Sequence, residues 1–150
     1  MKRTGFLKRN TPLRARGTSE TSLVKEEIQA LVRAIVIVRD GGCILRSVRN
    51  CGGEIGNAVL QADHLITRAN SATYADTRLI VCLCRPCHGG FKKWHERQYN
   101  DLVRSLISPE RVKLWDDCER DSWRPKRTTA FDWSLHVAAL KQELRSYPSL

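Results

Sequence analysis

The sequence predicts an α+β fold, with helices toward both ends of the chain and a cysteine-rich middle of short strands and turns. Apolar residues recur at helical spacing between Ser22 and Arg39, and again after Asp132. Between Cys43 and Cys87 the pattern changes to short β-forming runs interrupted by Gly52-Gly53. The 150 residues are about one domain's worth of chain, and 41% hydrophobic residues suffice for a core.

The ends and charges narrow the class. Twenty-six basic residues against 16 acidic ones give +10, and a pI near 9.7 favours a polyanionic partner, nucleic acid before membrane. Apolar runs such as Ala34 to Val38, five residues, fall far short of the roughly 20 a membrane span needs, so no membrane partner is expected. Lys2 and Arg3 are followed by no apolar stretch before Lys8 and Arg9. Without that mark of a signal peptide, a reducing, cytoplasmic location is expected, where cysteines ligate metals more often than they form disulfides.

Taken in order, residues 1–17 carry Lys2, Arg3, Lys8, Arg9, Arg14 and Arg16 without an acidic residue, and read as a flexible basic arm. Such an arm either touches phosphates or is simply solvated. The first helix is expected from Ser22 to Arg39, capped by Thr21 or Ser22 and stopped by Gly41-Gly42. Its apolar face comprises Ile28, Leu31, Val32, Ile35 and Val38. Strands are expected at Cys43 to Ser47, Asn57 to His64 and Leu79 to Leu83, with a polar loop from Ile66 to Asp76. A helix should then run from Cys87 to about Gln98 and another from Asn100 to Ile107. Ser108-Pro109-Glu110 restarts a helix over Arg111 to Arg120, and Asp132 can cap the last one, where Trp133, Val137, Leu140 and Leu144 share a face. The expected organisation is an arm (1–17), a core with its N-terminal helix (18–98) and a helical extension (99–150).

Cys84-Arg85-Pro86-Cys87 has the two-residue spacer by which one turn offers two thiolates to a tetrahedral zinc. Cys43 and Cys51, with seven residues between them and followed by Gly52-Gly53, are the candidates to complete a structural zinc site. Free thiols and incomplete sites are the alternative. Cys82 and Cys118 read as small buried apolar side chains, although Cys82 lies close enough to Cys84 to compete as a ligand.

Asp63-His64 ends an expected strand, and His88 follows the zinc turn directly. A lone histidine is usually a partly buried polar residue. Tied to a zinc scaffold, the three form a set suited to phosphodiester hydrolysis. Asp63 and His88 would ligate one divalent cation, magnesium or manganese, and neutral His64 would take a proton from the attacking water.

Asp63-His64 followed, after a loop, by Leu83-Cys84-Arg85-Pro86-Cys87-His88 resembles the zinc-containing HNH endonucleases, whose core is a ββα-metal (treble-clef-like) finger. The match spans about Cys43 to His95. The resemblance implies catalytic roles for Asp63 as metal ligand, His64 as general base and His88 as second metal ligand, in a DNA endonuclease leaving 5′-phosphate ends. The family's middle asparagine falls at Leu79, which can neither donate nor accept a hydrogen bond. Asn70, Asp76 or Arg78 are the candidates to replace it, and an inactive zinc-dependent DNA-binding module is the alternative. His95 lies seven residues after His88, two turns along the same helix face, and His136 reads as structural.

Lys92, Lys93 and Arg97 on the finger helix are expected to hold DNA phosphates; the alternative is an ordinary solvated face with Trp94 packed beneath it. The run Ser122-Trp123-Arg124-Pro125-Lys126-Arg127 alternates an aromatic with cations, and Arg124, Lys126 and Arg127 are further DNA-binding candidates. Downstream, Tyr99, Leu102, Ile107, Val112, Trp123 and the closing Leu140-Lys141-Gln142-Glu143-Leu144-Arg145 loosely resemble phage recombination proteins of the NinG (Rap) type. That resemblance implies a structure-directed nuclease acting on duplex or branched DNA in the cytoplasm of a host cell. A task needing two active sites would suit a homodimer.

Overall fold

A computed structural model describes residues 20–56, 58–69, 71–121 and 130–148. The basic arm, Asn70, Trp123 and the candidates Arg124, Lys126 and Arg127 lie outside the described residues.

Helix α1 (Glu20–Asp40) forms where apolar residues recur at helical spacing. It buries Ile28, Val32, Ile35 and Val36, each contributing about 1.5–3 kcal/mol. Leu31 and Val38 flank that stripe half-buried. Helix α1 packs on a two-stranded antiparallel sheet of β1 (Leu60–His64) and β2 (Ile80–Cys84), in which Asp63 faces Val81 and His64 faces Ile80.

All five residues of β2 are buried, so its outer edge needs partners that a third strand would normally supply. The Asp40 carboxylate accepts the Cys82 N–H at 2.8 Å, and the Cys82 carbonyl accepts the Ile44 N–H at 2.9 Å. The Ile80 carbonyl accepts from Arg39 at 2.7 Å and from Arg111 at 3.1 Å. Two helices and a loop thereby close the edge.

The strand expected over Cys43 to Ser47 does not form. A single bridge joins Gly42 to Glu54, and the chain then turns into the short helix α2 (Arg46–Arg49). Eight extended residues would carry Cys51 roughly 26 Å from Cys43. Instead Cys43 donates its N–H to the Gly53 carbonyl at 2.6 Å, while its own carbonyl accepts the Arg46 N–H at 3.0 Å. The backbone doubles back.

The helix expected from Cys87 to Gln98 is interrupted at His95, whose φ of −137° and ψ of 46° leave the helical region. A π-helical turn (Cys87–Phe91) containing the poor helix formers Gly89 and Gly90 leads into α3 (Lys92–Trp94). Helix α4 (Glu96–Leu106) follows, so the expected boundary after Gln98 falls inside a helix, and its Tyr99 and Val103 join the common core. Helix α5 (Pro109–Asp121) begins at the Ser108-Pro109 signal. Helix α6 (Ala130–Arg145) lies along α1, burying Trp133, Val137 and Leu140, with Lys141 paired to Glu27 at 2.7 Å. No described helix is long and apolar enough to cross a membrane.

Candidate functional site

The doubled-back segment after α1 and the end of β2 bring four sulfurs together. The Sγ atoms of Cys43, Cys51, Cys84 and Cys87 all lie within 4.8 Å of one another. A tetrahedral zinc with bonds of about 2.3 Å sets its sulfurs about 3.8 Å apart, so this soft donor set fits one structural zinc ion. Gly53 makes the approach possible. A Cβ there would overlap that of Cys43 and stand 3.2 Å from Cys84 Cβ and 3.3 Å from Cys51 Sγ. At Gly42, φ is +114° and a Cβ would meet the Gly53 carbonyl oxygen at 2.5 Å.

Burial pushes the Cys43 thiol up to about 11. Burial also pushes up Cys51, but the Gly53 backbone and the Cys84 and Cys87 side chains outweigh it and bring Cys51 below the ordinary thiol value. Cys82 is fully buried, its thiol raised to about 12 by that burial, and it stays outside the four-sulfur group. Cys118 is half-buried on α5.

The turn that carries Cys84 and Cys87 sets His88 against the end of β1. His88 Nε2 lies 3.2 Å from Asp63 Oδ1, and the Asp63 residue is only 3% exposed. Lys92, one helical turn beyond His88, donates to both Asp63 oxygens at 2.6 and 2.8 Å. The Tyr99 hydroxyl, aimed inward by the restart of the chain at His95, donates to Oδ2 at 2.5 Å. Burial raises the Asp63 pKa, but His88, Lys92 and Tyr99 together overcome it and hold the carboxyl below its usual range.

Two neighbouring ligands of an octahedral ion, with bonds of about 2.1 Å, stand about 3 Å apart. The Asp63–His88 spacing fits that, and the Lys92 ammonium shows that this face of the carboxylate accepts a cation. A divalent ion here would displace Lys92, whose side chain is 29% exposed and has solvent to turn into.

His64 faces elsewhere. Adjacent residues of a strand point to opposite faces, and His64 Nε2 lies 3.1 Å from the Tyr74 carbonyl, with Nδ1 buried and without a partner. Burial holds its pKa below the ordinary histidine value, and the nearby Arg68 adds to that. Tyr74 is braced edge-on by Trp133 of α6, 5.4 Å away. Among the described residues, the four cysteines are the group of three or more metal-donating side chains drawn within 4.8 Å; Asp63, His64 and His88 do not make a second.

Leu79, at the place of the family's asparagine, is buried in the core, and its carbonyl accepts the Leu65 N–H at 2.9 Å. Asp76 and Arg78 pair with each other at 2.7 Å. The carbonyl that His64 Nε2 meets is that of Tyr74.

Beside His88 an open cleft of about 270 Å³ is lined by Gln29, Arg33, Gln61, Ala62 and Arg68. Arg33 and Arg68, like Lys92 and Tyr99 in their roles around Asp63, escaped the sequence reading. The only available signals were an arginine interrupting the apolar run of α1 and a lysine one helical turn after His88. Lys93 and Arg97 are exposed, as expected of phosphate ligands or a solvated face. Trp94 is not packed beneath them; it is 73% exposed. His95 is exposed, 5.5 Å from the Phe91 ring, and His136 is half-buried beside Trp133.

Compared with protein-family models, with curated proteins and with solved structures, the chain matches none of them.

Proposed function

We propose that this chain is a metal-dependent DNA endonuclease built on an HNH-type ββα-metal finger, cutting or nicking with little sequence specificity. The observation that carries this is the Asp63–His88 pair, 3.2 Å apart beside a cleft lined by Arg33 and Arg68. A divalent ion held by Asp63 and His88 would supply Lewis-acid stabilisation of charge growing on the phosphate and the departing 3′ oxygen.

The remaining work falls to the chain's own groups. Arg33 and Arg68 bind the phosphodiester in the cleft through charge-assisted hydrogen bonds. His64, kept neutral by burial, is the candidate proton acceptor for water, and to act its ring must swing out of the Tyr74 carbonyl contact, because its Nδ1 is buried where it stands. Lys93 and Arg97 hold neighbouring phosphates. The structural zinc keeps the turn bearing His88 against β1.

One observation favours a second reading. Lys92 and Tyr99 already engage both oxygens of Asp63, as in a zinc-stabilised DNA-binding module without catalysis. Plasmid nicking with magnesium or manganese separates the two. The nuclease reading expects nicking by the wild type and its loss in His64→Ala; equal nicking in both, or none in either across duplex and branched substrates, leaves the binding module.

A further inference from the structure

We propose that the cleft beside Trp94 binds an unpaired nucleobase, making single-stranded nucleic acid the favoured partner. A 73%-exposed tryptophan presents a large apolar ring to water. It borders an open cleft of about 490 Å³ whose other walls are Phe91, Arg49, His95, Gln98 and Leu102. A cavity of that size suits a small planar ligand.

The walls specify what kind. The Arg49 guanidinium lies 3.6 Å from the Phe91 ring centre, and the Lys93 ammonium 5.1 Å from that of Trp94. Each aromatic is thus paired with a cation, and none of the lining residues is acidic. Flat π surfaces beside positive charge match a base with a phosphate at its side. Gln98 and His95 add hydrogen-bonding groups for a base edge. A paired base, stacked on both faces, cannot enter.

The cleft is also placed to act with the Asp63 centre. Trp94 follows His88 by six residues, and the π-helical turn and α3 carry both on one continuous stretch of chain. The link to cutting rests on the nuclease reading; base binding does not.

The experiment measures binding of the zinc-loaded full chain to a labelled single-stranded oligonucleotide and to a duplex of equal length, without added magnesium or manganese. Trp94→Ala should weaken single-strand binding at least about 5-fold and duplex binding less than twofold, while Trp94→Phe retains most of it. Replacing one nucleotide by an abasic site should weaken the wild type and leave Trp94→Ala unchanged. Equal losses on both DNAs, or a wild type indifferent to the abasic site, would overturn the proposal. So would unchanged single-strand affinity with loss of a self-associated state in sedimentation, which would assign the cleft to a second copy of the chain. Base binding without cutting under any divalent ion would sink the nuclease reading alone; His64-dependent nicking with single-strand affinity unchanged in Trp94→Ala would sink this one alone.

Discussion

Cys84 and Asp63 stand on neighbouring strands of one small sheet, yet the centres they anchor are built on opposite plans. Around Cys84 the partners are sulfurs, backbone and Gly53, packed so closely that one added carbon has no place. Around Asp63 the partners are long polar side chains, of which Lys92 is part-exposed and His88 opens onto a cleft. The first plan suits an ion that stays and holds the fold. The second suits a site that exchanges what it binds.

The sharpest way to break this contrast is to remove the sulfur centre. Structural zinc contributes about 10–16 kcal/mol in small domains, against a total stability of about 5–15 kcal/mol for a typical chain. Cys84→Ser, or stripping zinc with a chelator, should therefore abolish cooperative unfolding, followed by circular dichroism, and metal analysis should show one zinc per wild-type chain. A zinc-free chain that melts normally would remove the distinction. His64→Ala should reduce the nicking rate about 10²–10⁴-fold with zinc content unchanged.

Lys92→Met sharpens the second plan. Removing a charge-assisted hydrogen bond of about 1.5–3 kcal/mol from Asp63 should tighten manganese binding about 10–100-fold, read by titration calorimetry. Weaker binding would mean that Lys92 supports the ion. Gly53→Ala should cost about 1–3 kcal/mol in denaturant unfolding, through displacement of Cys43 and Cys84. No loss would show that the sulfur centre has slack.

The smallest effect concerns acid. The folded-state pKa of His64 is lowered, so its contribution is complete above the unfolded value of about 6.5 and is lost as pH falls through the folded value. The Asp63 contribution has the same sign and goes at lower pH, since its pKa also lies below the usual carboxylate range. His64→Gln should flatten the pH dependence of stability just below pH 6.5, a change of at most about 1.4 kcal/mol per pH unit. An unaltered slope would show that His64 titrates as in the unfolded chain.

Legibility in the sequence followed how local each signal was. The Cys84–Cys87 spacer and the Ser108-Pro109 restart are properties of a few adjacent residues, and both appear where expected. The first helix and the apolar face of the last were legible from periodicity. Cys43 to Ser47 reads as a strand, yet the segment doubles back through hydrogen bonds from Cys43 to Gly53, ten residues on, and from Arg46 to Cys43. The interruption at His95 was hidden for a related reason: Tyr99 reaches Asp63 across 36 residues, and no local pattern announces it. Lys92 has the composition of a phosphate ligand, and only the fold shows it on a buried carboxylate. Leu79 left a gap that sequence alone could fill only with polar side chains, whereas a backbone carbonyl, at Tyr74, engages His64.

The most direct test of the Asp63–His88 centre is manganese binding by the zinc-loaded chain, followed by electron paramagnetic resonance. One manganese site beyond the zinc, lost in both Asp63→Ala and His88→Ala while the four-cysteine zinc remains, is the predicted result. A chain that binds no manganese, or binds it equally well after either substitution, would contradict the account.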